Sequence, residues 1–336
     1  GDHAAGLRAI VAALREADLA DRVTAIGHRV VHGGNRFREP VVIDDHVVAA
    51  IQDLIPLAPL HNPANLTGIE VARTLWPDVP QVAVFDTAFH ADLPAVAYRY
   101  AVPEHWYTEH QVRRYGMHGS SHAYVSRRAA EVLGREPTDL RLITAHLGNG
   151  ASMAAVADGR SIDTSMGLSP LEGLVMGTRS GDLDPAIVFH IGRTTGLAPA
   201  DIERALNGDS GLTGLCGEND MRAIEQRMHD GDVRARLAFD LFCYRVRKYV
   251  GAYAVALGGL DALVFTAGIG EHSPAVREHV CAGLDLLGVR LDPTANAASW
   301  TVISNTDSAV AVLVVPTDEE LEIATQTLAA VGAPAR

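Results

Sequence analysis

The sequence predicts an α/β protein of two domains, and three observations carry that prediction. Stretches with the 3.6-residue period of amphipathic helices alternate along the chain with short β-branched runs, as in helices packed on sheets. The 336 residues suit about two domains of roughly 150 residues each, enough to bury substantial cores. Apolar residues make up 48% and charged ones 21%, the balance of an ordinary globular chain.

The elements follow in order. Residues 4–22 have helical spacing, and 23–34, "VTAIGHRVVHGG", change to a β-branched run closed by two glycines. In 62–76 the expected helix has Asn62 as N-cap and Pro63 at its first position. Residues 81–86, "QVAVFD", read as a buried strand, 121–134 as a helix, and 140–159 as strand, turn and strand. The longest helix is expected at about 231–257. Residues 262–280 read as a strand, a glycine turn and a helix capped by Ser273–Pro274. The chain ends at 309–331 as strand, turn and helix, with Thr317 as N-cap and Glu320 completing a capping box. A domain boundary is expected within 86–100, giving a first domain of 1–90 plus 321–336 and a second of 91–320.

Composition narrows the function classes. A formal charge of −13 disfavours duplex nucleic acid, whose binding needs Lys and Arg to neutralise phosphates. A small anionic substrate remains compatible, because a few arginines in a cleft set the local potential. The longest apolar runs, such as "AVAVLVV" at 309–315, are far short of the roughly 20 residues a membrane span needs. Cys216, Cys243 and Cys281 form no CxxC pair and are odd in number, as reduced thiols of a cytoplasmic protein would be. No secretory leader opens the chain, and its first residue is Gly1 rather than Met.

Several short stretches could carry chemistry. On a strand, Arg29 and Val31 share a face, pairing a guanidinium with a small apolar group as a pocket for a short carboxylate requires. The alternative there is an edge-strand arginine reaching solvent. His61 precedes a helix start, where the dipole attracts anions; an incidental histidine in a capping loop is the competing reading. His118 and His122 stand four apart without HExxH, and Gly119 is expected to keep His118 off the helix, which suits phosphate oxygens better than zinc. Arg179 lies in "MGTRSGDLDP", among small residues that permit close approach. The "GDSG" of 208–211 matches a serine-protease loop, but the α/β pattern makes this coincidence. "FTAGIGEHSP" has the strand–glycine–helix form that brings backbone to a nucleotide, without GxGxxG spacing and with no P-loop elsewhere. Glu319 is left to face a cation, or simply serves the helix dipole.

Taken together, "GHRVVHGG", "LAPLHNPAN", "VFDTAFH", "YGMHGSSH", "HLGNGAS", "TRSGDLDP", "FTAGIGEHS" and "PTDEEL" resemble the acetate kinase family over nearly the whole chain. The resemblance implies a two-domain actin/hexokinase-like (ribonuclease H-like) kinase fold and a homodimer. It also implies reversible, Mg²⁺-dependent phosphoryl transfer between ATP and acetate, giving acetyl phosphate and ADP, with Mn²⁺ as a possible substitute. By resemblance, Gly148–Asn149–Gly150 is a phosphate-binding hairpin, where residues lacking Cβ bring amides close to a polyphosphate. Arg29 and Arg179 would clamp the carboxylate and the transferring phosphoryl group, joined by His118, with Asp86 orienting an arginine or a metal-bound water. Val31, Leu60, His61, Met117 and Pro170 would form the acyl site. His146, Asp220, Met221, Arg222, Gly268, Ile269 and Gly270 would serve the nucleotide, and Glu319 the metal.

Two departures from the family pattern bear on these expectations. Met117 stands where many members have Phe, and a flexible thioether could tolerate a larger acyl group, whereas Val31 opposes it; acetate is expected first and propionate second. The family's opening strand and Asn-x-Gly-Ser-Ser-Ser-x-Lys loop have no match in residues 1–23, so the first domain is expected to be incomplete at its N-terminus. A catalytically silent nucleotide-binding relative is the alternative this raises. A His-based metallohydrolase is the third reading, and it requires zinc.

Overall fold

The computed structural model describes residues 3–59 and 61–332, which form two compact units. The first comprises 1–91, 117–124 and 318–336, and the second 92–116 and 125–317. Residues 117–124 therefore group with the first unit, inside the span assigned to the second domain by sequence. Among the described residues no helix is long and apolar enough to cross a membrane.

In the first unit, β1 (Ile26–Val30) runs parallel to the central β3 (Gln81–Phe85), and β2 (Val41–Val42) pairs antiparallel on the other side. Every residue of β3 is buried, as a continuous apolar run in the middle of a covered sheet must be. Its core gathers Val30, Ile51, Leu66, Ile69 and Phe85, with Phe37 stacked on Phe85 at 4.4 Å between ring centroids. The terminal helix Glu319–Ala330 packs on β1 and β3. Gly27 permits this approach, since a Cβ there would run into Thr327 and Ile323.

The second unit holds a five-stranded sheet in the order β6-β5-β4-β7-β8. Strands β4 (Arg141–Leu147), β5 (Ala151–Ala157) and β6 (Arg160–Thr164) form an antiparallel meander. Strands β7 (Ala262–Thr266) and β8 (Ala311–Val314) extend it in parallel with β4. The helix Val233–Ala256 packs on β4 and β5 and is capped by Asp232, which accepts from the Arg234 and Ala235 amides. The helix Gly119–Leu133 starts among residues of the first unit and ends among those of the second.

Three local expectations are corrected. Asn62 does not cap its helix: the helix Asn62–Leu75 begins at that residue, and the Asn62 amide is spent on the backbone of His32 instead. The terminal helix is capped by Asp318, whose carboxylate accepts from the Leu321 amide at 2.8 Å, not by Thr317 with Glu320. Asp outranks Thr as a cap, and it stands one residue nearer the apolar run. The glycines of "AGIGEH" make no turn but a short helix, Ala267–His272, entered through a left-handed Ala267 (φ 63°). The Ser273 cap of the following helix is present, accepting from Val276 N at 3.0 Å.

Candidate active site

In the first unit the parallel pairing of β1 with β3 brings Arg29 opposite Val84, and the chain leaving β3 delivers Asp86 beside it. The Asp86 amide donates to the Val30 carbonyl at 3.0 Å, which extends the ladder by one rung. Arg29 then grips the Asp86 carboxylate: Nε donates to Oδ1 at 3.0 Å and Nη2 to Oδ2 at 2.7 Å. Asp86 is 1% exposed, while the Arg29 side chain is 43% exposed. One end of the guanidinium is thus anchored, and its Nη1 has no hydrogen-bond partner among the described residues. The buried carboxylate raises the Arg29 pKa further, so its charge is permanent.

Glu319 completes this cluster, with Oε2 3.8 Å from Arg29 Nε. Burial raises its pKa above the usual carboxylate range, with Arg29 acting in the opposite direction. Its Oε2 is buried and finds no hydrogen bond. Two carboxylates against one guanidinium leave one negative charge over, and a buried unpaired charge is costly. The donor set suits Mg²⁺, which binds through one or two carboxylates plus waters and phosphate oxygens rather than an all-protein cage.

His118 is held in the left-handed region (φ 57°), a strained conformation for a residue with a side chain. The next residue explains it: Gly119 N donates to the Asp86 carbonyl at 2.9 Å, and a Cβ on Gly119 would collide with that oxygen. The helix start is therefore docked on the same segment that presents Asp86. Met117, 2% exposed, offers its carbonyl to His90 Nε2 at 3.1 Å. His122 is fully buried with its ring against His90, so it belongs to the core. Val31 lies just past β1, its amide donating to Asn65 Oδ1 at 3.1 Å. His61 occupies the position before the helix without capping it, and Leu60 lies outside the described residues.

In the second unit, the turn Gly148–Asn149–Gly150 joins β4 to β5 directly after the Leu147–Ala151 pair. It faces a cavity of about 320 Å³ that Gly148 and Asn149 line together with Asp220, Met221, Arg222, Gly268 and Ile269. That volume falls within the range of small-molecule sites. Gly268 adds backbone without filling space, since no heavy atom lies within 4 Å of where its Cβ would be. Arg222, largely exposed, donates to the Asp220 carboxylate at the rim. Gly150, His146 and Gly270 are not among the lining residues; His146 is 7% exposed on β4, opposite Ser152.

Arg179 is half-buried and forms no ion pair among the described residues. Its Nη1 reaches the Pro170 carbonyl at 3.4 Å and the Met176 sulfur at 3.8 Å. Burial lowers its pKa from the ordinary arginine value without threatening its charge. A half-buried guanidinium so weakly engaged is a ready receptor for an anion.

Two supporting residues escaped the sequence reading. Arg277, fully buried in the helix Pro274–Cys281, donates to the Gly270 and Glu271 carbonyls, so it holds the C-terminal end of the helix that presents Gly268 and Ile269. Its other donors reach Asn296 and Ser299. Gly177 is the second: a Cβ there would strike Asn149, whose carbonyl instead accepts from Gly177 N at 2.8 Å. The density of glycine around Asn149 and Arg179 was the available signal for the latter; nothing in "SPAVREHV" marks Arg277 as buried.

Comparison with known proteins identifies the family. A profile described as the acetokinase family matches residues 1–325. The acetate kinase of Streptomyces avermitilis is 57% identical over 98% of this chain and 83% of its own length. The acetate kinase of Syntrophobacter fumaroxidans is 60% identical over 90% of this chain and 74% of its own. Among solved structures, a propionate kinase from Francisella tularensis superposes with a TM-score of 0.95 at 45% identity, covering 98% of this chain and 85% of that one. The Porphyromonas gingivalis acetate kinase gives 0.93 at 45% identity, with the same coverage. With a match this long and this close, the chain belongs to the acetokinase family.

Proposed function

We propose that the chain is an ATP:acetate phosphotransferase, working reversibly between ATP plus acetate and ADP plus acetyl phosphate. Membership of the acetokinase family across residues 1–325 is the observation that carries this reading. In the forward direction an acetate oxygen bonds to the γ-phosphorus while the bond from that phosphorus to the β–γ bridging oxygen breaks, and the electron pair leaves on ADP. The transferring group passes through a loose transition state with charge on its equatorial oxygens, so positioning and positive charge matter most.

The residues divide that work. Arg29, anchored by Asp86, presents its remaining donors to the acetate carboxylate, with Val31, His61 and Met117 around the methyl group. Arg179 and His118 take the charge of the transferring phosphoryl. The Gly148–Gly150 turn receives the polyphosphate, and Asp220, Met221, Arg222, Gly268 and Ile269 receive the adenosine. Glu319 would hold a divalent metal, Mg²⁺ or Mn²⁺, which would supply charge neutralisation at the phosphates. Exposed Val233, Leu237 and Tyr244 on one long helix support a homodimer, and three buried cysteines free of disulfides support a cytoplasmic setting.

Transfer from ATP to acetate, trapped as the hydroxamate, is expected to fall by about 10³ or more in Arg29→Ala and in Arg179→Ala while ADP still binds. Full activity in both variants would remove the assigned roles. Propionate is the second reading, favoured by the likeness to the Francisella propionate kinase. One methylene is worth about 10- to 200-fold in such a pocket, so kcat/KM for acetate and propionate decides directly. Val31→Ala is expected to move the ratio towards propionate.

A further inference from the structure

The stretch "MGTRSGDLDP" carries an acidic residue, Asp182, to which the reaction assigns no part. In the structure it closes a loop. Its carboxylate Oδ1 accepts from Gly173 N at 2.8 Å, and its own amide donates to Gly173 O at 3.0 Å. Residues 173 and 182 thus form the neck of a ten-residue loop with Arg179 near its far end. Two side chains from the helix Val233–Ala256 lock the neck. Arg245 Nη1 donates to the Gly173 carbonyl at 3.1 Å and the Asp182 carbonyl at 3.2 Å, and lies 3.4 Å from Asp182 Oδ2. Tyr249, one turn further along, donates from its hydroxyl to Asp182 Oδ2 at 2.9 Å.

The rest of the loop leaves little slack. Gly181 is left-handed (φ 67°), and a Cβ there would overlap the Leu174 carbonyl. The Arg179 carbonyl accepts from Met176 N at 3.2 Å, and Gly177 N is tied to the Asn149 carbonyl of the β4–β5 turn. Among the described residues the Arg179 side chain has only a 3.4 Å carbonyl contact and a 3.8 Å sulfur contact to steady it. Its direction is therefore inherited from the backbone.

We propose that the Asp182–Arg245–Tyr249 clasp is a positioning device for Arg179, with Asp182 as its keystone. The proposal rests on the reading of Arg179 as the arginine that meets the transferring phosphoryl group. Helix Val233–Ala256 also packs on β4 and β5, so one rigid element supports both the phosphate turn and the arginine loop.

A double-mutant cycle tests this in the full chain. Asp182→Asn keeps an acceptor for Gly173 N but loses the Arg245 ion pair, and Tyr249→Phe removes the second bond to Oδ2. Each is expected to lower kcat, by about 10- to 100-fold for Asp182→Asn and less for Tyr249→Phe, as for a reacting group displaced by up to about 1 Å. KM for ATP and the Kd for ADP are expected to stay within about twofold, which also certifies folding. In an Arg179→Ala background the Asp182→Asn loss is expected to vanish, because residues acting as a unit are not additive. An Asp182→Asn loss of equal size in both backgrounds, or a rise in the Kd for ADP that accounts for it, would overturn the proposal. An Arg179→Ala enzyme with undiminished activity would instead overturn the underlying reading of Arg179.

Discussion

The two arginines expected to handle the reacting anions are held by different means in the two units of the molecule. Arg29 is charge-paired: a buried Asp86 takes two of its donors, and a second carboxylate, Glu319, stands 3.8 Å away. Among the described residues Arg179 pairs with no carboxylate and rests on a carbonyl and a thioether. The first arrangement fixes orientation through the side chain and lowers the local positive charge. The second keeps the full charge and leaves orientation to the backbone. A carboxylate substrate needs a directional, forked partner, whereas a spreading phosphoryl charge needs undiminished positive potential. The contrast fits that division of labour.

Breaking the side-chain brace is the strongest way to probe the difference. Asp86→Asn replaces a charged, forked acceptor with a neutral amide that accepts at one atom only. It leaves Arg29 with Glu319 as its remaining anion, towards which the guanidinium is free to turn. We expect kcat/KM for acetate to fall by about 10²–10³, on the scale of losing one well-placed transition-state contact. ADP binding, assigned above to residues of the other unit, is expected to be unaffected. A loss smaller than that of Asp182→Asn would reverse the ranking of the two supports.

Glu319 sharpens the same comparison from the metal side. Its burial raises its pKa, so the fold favours the protonated form. The sign follows: this group's contribution to stability is full below the ordinary carboxylate pKa and is lost as pH rises through its higher folded-state value. At neutral pH the ionised, under-satisfied carboxylate is therefore a burden on the metal-free protein. Glu319→Gln is expected to raise Tm at neutral pH without metal, with the gain shrinking as pH falls towards about 4. The same variant is expected to need at least about tenfold more Mg²⁺ for half-maximal activity, since the proposed anionic ligand is lost. Thermal melts across pH and Mg²⁺ titrations check the two halves independently. A lower Tm at neutral pH would mean that Glu319 is well satisfied after all.

Much of this arrangement was legible in the sequence because the contacts obey local rules. Strand period and helix spacing located β1, β3, β4 and β7. Arg29, Asp86, Gly148–Gly150 and Arg179 each lie in short stretches whose glycines and charges stand out. What was not legible depends on partners distant in the chain. Asn62 looks like a cap until His32, 30 residues away, takes its amide. Arg277 has the appearance of a helix-surface charge, yet the carbonyls it serves belong to a neighbouring helix and its Asn296 partner is 19 residues on. Asp182 has no visible role within its own motif, because the residues that give it one, Arg245 and Tyr249, come more than 60 positions later. The glycines of "AGIGEH" suggested a turn, and the helix they form is the kind of tertiary override that propensity alone does not foresee.

The smallest effect is expected at Arg222, and it extends the comparison to a third arginine. Arg222 is paired like Arg29, donating to both oxygens of Asp220, but the pair is exposed at the cavity rim, where water screens it. Asp220 is not idle without it, because the same carboxylate caps the helix Met221–His229 through the Arg222 amide. Arg222→Ala therefore spares the cap while removing only a screened cation at the cavity rim. KM for ATP is expected to rise about threefold with kcat unchanged, and the difference is expected to shrink as salt is added. A fall in kcat of tenfold or more, insensitive to salt, would place Arg222 with the reacting phosphates instead and would make exposure a poor guide to which arginines here do chemistry.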